Sequence, residues 1–312
     1  MPLQIIDLAD TAASGGVAGP VIAVGDITST DNAILDRVSF TLTEQETDDR
    51  RAVTVPSVEG AVDELFTRVG RWPQAASVCD DVLRCVVASS SPSAGVAIES
   101  LGYSTLQAGP EFTRWCFERG PAQVAEGPDP LLVEREGNTL LITFNRPQRH
   151  NAFSNATRQA LLDALTVAQI DPSIDEVLLQ GNGPSFCSGG DLAEFGALAD
   201  AATAHLARTR YSPALAIIAI TARLGTSCRA VIHGQVLGSG LEMAAFCGHV
   251  TCRPGAVLGL PELRLGLIPG AGGTVSVSRR IGRWRTAYLV LSGKTIDPAT
   301  ALAWGLVDAV TR

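Results

Sequence analysis

Apolar positions after residue 130 recur with regular spacing and predict short strands and helices in alternation. Residues 131–145 predict two strands around a turn, and residues 175–181 predict a short buried strand. Residues 155–169 predict an amphipathic helix with Ser154 or Asn155 as its N-cap, because leucine and alanine recur at helical spacing. Strand, strand and helix units that repeat in this way indicate an α/β fold of stacked ββα turns.

The same pattern extends to the end of the chain after a glycine-rich loop at 181–191. The further predicted elements are a long helical segment at about 194–223, a strand at 230–236, a helix at 241–247, strands near 249–253 and 256–261, and helices near 272–280, 284–292 and 297–304. These elements predict that the ββα pattern covers the whole of the chain after residue 130.

The pattern before residue 125 is weaker and predominantly helical. Residues 57–69 predict the clearest amphipathic helix, and residues 102–120 predict another that is broken, or begins, at Pro110. The core face of the first helix would hold four apolar side chains: Val62, Leu65, Phe66 and Val69. No set of residues typical of catalysis stands out in residues 1–125, so a role in packing or oligomerisation is the simplest interpretation.

A change of composition separates the two parts. Residues 121–130 contain three prolines and a glycine and predict a linker. We therefore expect an N-terminal region of helical or mixed structure (1–125) and a second domain (126–312). Residues 64–84 resemble 160–180 in their predicted order of helix and strand, so a degenerate copy of the second domain is a further interpretation of the N-terminal region.

Composition and charge narrow the possible partners. The 312 residues are 46% hydrophobic and 18% charged, and 32 acidic against 24 basic side chains give a net charge of −8. This balance disfavours nucleic acid and membrane surfaces as partners. No apolar run could span a membrane, and Asp7 and Asp10 stand where a signal peptide would be basic, so we expect a cytoplasmic protein. The seven cysteines include no C-x-x-C pair and no zinc-ligand spacing, which predicts no metal site.

Two glycine-rich turns are candidates for binding a negatively charged oxygen. Residues 185–192 and 231–246 each place glycines between the end of a strand and the start of a helix. The first N–H groups of a helix have no acceptor within the helix, and the helix dipole makes that end positive. Two such turns could direct one N–H each at a single oxygen, as an oxyanion hole for a thioester carbonyl requires.

Two glutamates stand beside these turns. Glu242 lies in the first turn of the helix that follows Ser239, and Glu262 follows Pro261 among leucines. A carboxylate in the latter position either faces solvent or is buried for a chemical purpose. Two carboxylates near one apolar pocket would differ in pKa, so that one can serve as an acid and the other as a base.

Five segments together resemble the crotonase superfamily, the enoyl-CoA hydratase/isomerase family. They are residues 144–154, 183–195, 233–247, 258–274 and 292–310, in the family's order and spacing. The resemblance implies a ββα spiral, an acyl-CoA substrate and no cofactor other than the coenzyme A of the substrate. It also implies a homo-oligomer, either a trimer or a hexamer.

The resemblance implies a role for each matching residue. Gly190 and Ser239 would supply the two N–H groups of the oxyanion hole, while Glu242 and Glu262 would position water and move the α-proton. Arg149 would lie near the CoA phosphates. The remaining residues implied to lie around the substrate are Ser188, Gly189, Asp191, Leu192 and Gly238.

The chain also departs from the family pattern. Gly238-Ser239-Gly240 replaces a triple glycine, and the sequence ends at Arg312, where typical members continue with helices that cap the acyl pocket. We therefore expect a crotonase-like fold with an added N-terminal region, which could replace those helices, and a shortened C-terminus. The leading hypothesis is a hydratase that adds water to the 2,3-double bond of an enoyl-CoA. The alternatives are a Δ3–Δ2-enoyl-CoA isomerase, another acyl-CoA lyase of the family, or a non-catalytic scaffold subunit.

Overall fold

The computed structural model describes residues 3–9, 19–28, 30–89, 91–124, 129–197 and 200–311. Residues 125–128 of the predicted linker lie outside these ranges. Among the described residues, no helix is both long enough and apolar enough to cross a bilayer.

The N-terminal part contains a small parallel sheet followed by four helices. Its elements are β1 (Gln4–Asp7), β2 (Val21–Val24), α1 (Asn32–Arg37), β3 (Phe40–Thr43), β4 (Ala52–Thr54), α2 (Val58–Arg71), α3 (Pro73–Ala88), α4 (Pro92–Gln107) and α5 (Pro110–Arg119). The four strands pair in chain order, and every pair is parallel. The sequence pattern did not predict these strands, because each has only three or four residues.

Proline marks the start of three of these helices. Pro73, Pro92 and Pro110 each occupy the first turn, where a missing N–H costs no intrahelical hydrogen bond. The predicted break at Pro110 is therefore confirmed. Ser57 caps α2 by accepting a hydrogen bond from the Gly60 N–H at 3.2 Å.

Two expectations for this part were wrong. Phe66 is 47% exposed, because the buried stripe of α2 is narrow and contains Leu65 and Val69. Residues 64–84 form the end of α2 and most of α3 rather than a helix and a strand. Pro73 starts a new helix directly after Trp72, and the helix continues through residue 84 because its apolar side chains recur at helical spacing.

The second part contains the larger sheet. Its elements are β5 (Leu131–Glu136), β6 (Thr139–Phe144), α6 (Asn155–Ile170), β7 (Glu176–Gly181), α7 (Ala201–Arg210), α8 (Pro213–Leu224), β8 (Cys228–Ile232), β9 (Gln235–Leu237), α9 (Ser239–Ala244), β10 (His249–Cys252), β11 (Val257–Gly259), α10 (Gly273–Ser292), α11 (Pro298–Trp304) and β12 (Ala309–Val310). Six strands form one sheet in the order β12-β10-β8-β7-β6-β5, in which the β5–β6 pair alone is antiparallel. Strands β9 and β11 form a separate parallel pair. The predicted α/β fold is confirmed.

Most predicted elements of this part are present, with one clear difference. The single long helix expected at 194–223 is two helices, because Pro213 starts α8 and Ser212 caps it by accepting from the Leu215 N–H. The two helices predicted around 272–292 form α10, which changes direction at Gly282 (φ 82°). Ser154 is the N-cap of α6 and accepts a hydrogen bond from the Thr157 N–H at 3.1 Å.

The N-terminal helices pack directly on the second part, and one apolar core runs through both. Helix α3 packs on α10, and α4 packs on α7, α8 and α10. The contact is close: a Cβ at Gly95 of α4 would lie 2.8 Å from a methyl group of Val275. Trp284 of α10 donates from its indole N–H to the Leu35 carbonyl at 3.0 Å, which ties α10 to α1 of the N-terminal part.

Candidate active site

The first glycine-rich turn, residues 185–192, runs beside β9. Cys187 forms a bridge to Val236, and Gly190 forms a bridge to Phe153. Gly189 has φ +99°, and a Cβ there would approach the Leu237 carbonyl oxygen to 3.2 Å, so glycine suits both the conformation and the space. These contacts fix the backbone of Gly190 at the edge of a cavity.

The second turn joins β9 to α9 through Gly238, which has φ +50° and ψ −126°. A Cβ at this position would overlap the Glu262 carboxyl group. Helix α9 therefore begins at Ser239 with its N-terminus against the same cavity. Within the described part of the chain, neither the Gly190 N–H nor the Ser239 N–H donates to a protein acceptor. Two backbone donors thus border one cavity.

Glu242 is held by backbone amides at the junction between α10 and the loop that precedes it. Its side chain is buried, with 1% of the residue exposed, and Oε2 accepts from the Ala271 N–H at 2.7 Å and the Gly273 N–H at 2.8 Å. Burial raises the pKa of Glu242 to about 7, although these two hydrogen bonds favour the charged form. The carboxyl group therefore changes charge near neutral pH.

Glu262 lies in a very different environment. It opens a short 3₁₀ turn, residues 262–265, and 9% of the residue is exposed. Its Oε2 atom is buried without a hydrogen-bond partner among the described residues. Burial, followed by the nearby charge of Glu242, raises the pKa of Glu262 well above its ordinary value. Glu262 is therefore a buried carboxyl group whose neutral form is favoured, the second of the two possibilities considered from sequence.

Gly190, Ser239, Glu242 and Glu262 all line the same cavity, which has a volume of about 200 Å³. The wall includes five residues of α4 from the N-terminal part: Val96, Glu99, Ser100, Tyr103 and Gln107. Sequence reasoning missed them, because the N-terminal region was expected to hold no functional residues. A signal was present, since Glu99 lies three residues after Val96 and four before Tyr103, on the apolar face of its helix.

The other predicted binding residues divide into two groups. Asp191 lines the cavity but is buried between two guanidinium groups, at 2.8 Å from Arg146 and 2.9 Å from Arg149. Burial opposes its charge, yet the hydrogen bond from Arg146 and the neighbouring charges hold the pKa of Asp191 below its ordinary value. Outside the cavity wall lie five others: Arg149, Ser188, Gly189, Leu192 and Gly238. In this structure Arg149 and Asp191 form an ion pair that braces the first turn.

Comparison with known proteins agrees with this geometry. A family model described as enoyl-CoA hydratase/isomerase matches residues 134–312. The chain belongs to this family of enzymes, so the predicted resemblance to the crotonase superfamily is confirmed. The match begins within β5, and α4, the N-terminal helix that lines the cavity, lies outside it.

Individual relatives match the same part of the chain. A 2,3-dehydroadipyl-CoA hydratase of Escherichia coli is 37% identical over 183 residues, which are 58% of this chain and 68% of the relative. A probable enoyl-CoA hydratase of Mycobacterium tuberculosis is 34% identical over 184 residues, with the same coverage. Among solved structures, an enoyl-CoA hydratase from Thermoplasma volcanium is 32% identical with a TM-score of 0.51, over 59% of this chain and 72% of that structure.

Proposed function

We propose that the protein is an enoyl-CoA hydratase, which adds water reversibly across the 2,3-double bond of an acyl-CoA thioester. The observation that carries this proposal is the contrast between the two glutamates on one cavity wall. Glu242 is held by two amides and has a pKa raised to about 7, whereas Oε2 of Glu262 is buried without a hydrogen-bond partner among the described residues and the pKa of Glu262 is raised well above its ordinary value. Hydration requires such a base and such an acid together.

The proposed reaction uses these groups in sequence. Ionised Glu242 accepts a proton from water as the water oxygen bonds to C3, and the π electrons move to the thioester oxygen. The N–H groups of Gly190 and Ser239 stabilise the negative oxygen of this enolate. Glu262 then donates its proton to C2 as the carbonyl reforms, which gives the 3-hydroxyacyl-CoA. A proton returned from Glu242 to Glu262 restores the starting state.

The chemistry draws on the acidity of the thioester and on backbone donors, so we propose no metal or redox cofactor. We further propose a homo-oligomer, on the basis of family membership, which light scattering would test. The proposed substrate is an acyl-CoA, and the relatives' names support that class.

Substitution of each glutamate by glutamine tests the proposal. Hydration of crotonyl-CoA should fall by at least about a hundredfold in kcat for both Glu262→Gln and Glu242→Gln, because each variant loses a proton-transfer group. Binding of an unreactive acyl-CoA should persist in both. Glu118→Gln is a suitable control, because Glu118 is exposed and pairs with Arg71 away from the cavity. Full turnover by both site variants would contradict the proposal.

An isomerase would use one acid–base group to move a proton between C2 and C4, without adding water. Incubation of crotonyl-CoA and a 3-enoyl-CoA in deuterated water distinguishes the two reactions. The proposal expects a hydrated product with deuterium at C2 from crotonyl-CoA. Conversion of the 3-enoyl-CoA alone, with no hydrated product, would instead identify an isomerase.

A further inference from the structure

A third buried carboxylate reaches the cavity from the N-terminal part of the chain. Glu99 lies on α4, outside the residues that match the family model, and 1% of it is exposed. Its Oε1 accepts from the Gly272 N–H at 2.6 Å, and Oε2 accepts from the Thr274 N–H at 2.8 Å and the Thr274 hydroxyl at 2.7 Å. Among the described residues, all of its hydrogen bonds go to the same loop–helix junction, residues 271–274, that also binds Glu242.

The amides of this loop alternate between the two carboxylates. Ala271 and Gly273 donate to Glu242, while Gly272 and Thr274 donate to Glu99. The approach is close, since a Cβ on Gly273 would lie 2.9 Å from Oε2 of Glu242. The four amides are consecutive in the chain. Rotation of the two amides that donate to Glu242 would therefore break the hydrogen bonds that the other two donate to Glu99.

Glu99 and Glu242 also interact electrostatically. Burial first, and the charge of Glu242 second, raise the pKa of Glu99 to about 8, while the Thr274 and Gly272 hydrogen bonds oppose that rise. The pKa of Glu242 is about 7, so Glu242 ionises first, while Glu99 is still largely uncharged. Other groups that interact electrostatically with these carboxyl groups include Glu262 of the 3₁₀ turn, Arg208 of α7 and Tyr103 of α4.

We propose that Glu99 is a positioning residue for Glu242: it fixes residues 271–274 from the N-terminal part of the chain and thereby sets the geometry of the water-activating carboxylate. The inference rests on the proposed function, because it assigns Glu99 a role through Glu242. It gives α4 a part in the reaction itself, beyond covering the cavity.

Glu99→Gln tests the proposal, because the glutamine amide group places a donor where one carboxyl oxygen now accepts from a backbone N–H. We expect kcat for crotonyl-CoA hydration to fall on the order of 10–100-fold, since small misplacements of a catalytic group have effects of that size. KM should change little. The acidic limb of the pH–rate profile should stay near its wild-type position, because Glu99, with a pKa of about 8, is already largely uncharged where Glu242 titrates.

Glu111→Gln is the matched control. Glu111 is also a buried glutamate of the N-terminal part and accepts from two consecutive backbone N–H groups, of Gln74 at 2.8 Å and Ala75 at 3.0 Å, but it does not line the cavity. This variant should lower the melting temperature, yet leave the kcat and the pH profile of the folded protein unchanged. Equal kinetic effects in both variants would show that Glu99 acts through stability alone and would overturn the proposal.

Thr274→Val provides a second test in case Glu99→Gln fails to fold. It removes one hydrogen bond to Glu99 in a fully buried site and keeps both amides. A several-fold lower kcat with unchanged KM supports the proposal, whereas wild-type kcat contradicts it. A failure of the proposed function gives a different result. If Glu242→Gln retains full activity, the hydratase mechanism is wrong. If Glu242→Gln loses activity but Glu99→Gln has wild-type kinetics, only the positioning role is refuted.

Discussion

The acidic limb of the pH–rate profile tests the environment of Glu242 most sensitively. Hydration requires ionised Glu242, and burial raises the pKa of this carboxyl to about 7. Activity should therefore rise with pH up to about neutrality. Below that point kcat/KM should fall about tenfold per pH unit, so the value at about pH 5 should be about a hundredth of the maximum.

An ordinary glutamate gives a very different result. With a pKa of about 4.3 the base would remain largely ionised at about pH 5, and little activity would be lost. The assay is the initial rate of crotonyl-CoA hydration across this range, with each sample returned to neutral pH to show that the loss is reversible. Glu242→Gln should have residual activity without this limb. Retention of a third or more of the maximal kcat/KM at about pH 5 would refute the proposed environment of Glu242.

Three further predictions concern stability and binding. The raised pKa of Glu262 stabilises the fold below the ordinary glutamate pKa, and this stability is lost as pH rises through the folded value. The melting temperature of Glu262→Gln should therefore rise relative to that of the wild type between about pH 6 and about pH 9. A constant difference in melting temperature would contradict this prediction. Gly238→Ala should lower the free energy of unfolding by about 1–3 kcal/mol and abolish activity. Gly255 also has a positive φ but has open space around it, so Gly255→Ala should lower stability without loss of activity. An unreactive acyl-CoA should raise the melting temperature, and no shift at saturation would favour a scaffold subunit.

The elements after residue 130 could be predicted because their signals are local. The β5–β6 hairpin, the Ser154 cap and the change of direction at Gly282 each depend on a few neighbouring residues. The long helix expected near 194–223 is divided by a local feature as well, because Pro213 can begin a helix but cannot continue one. In the N-terminal part, β1 to β4 could not be predicted, because strands of three or four residues are too short to show an alternation of apolar and polar side chains.

The candidate site could be predicted only in part. Glu242, Glu262 and the two glycine-rich turns lie in segments with recognisable motifs, and the structure brings them together at one cavity. Glu99 could not be placed there from the sequence, because its partners Gly272 and Thr274 lie more than 170 residues away along the chain. The sequence does show an acidic residue on an apolar helix face. Its hydrogen-bond partners, however, depend on the tertiary packing of α4 on α10.

The fate of the oxygen atom of water tests the central claim most directly. Crotonyl-CoA is incubated with the enzyme in water labelled with ¹⁸O, and the product is analysed by mass spectrometry. The hydratase account predicts a 3-hydroxybutyryl-CoA that carries one labelled oxygen, formed rapidly by the wild type and at least about a hundredfold more slowly by Glu242→Gln and Glu262→Gln. A wild-type enzyme that binds the thioester yet forms no labelled product, or variants that form it at the wild-type rate, would contradict the account.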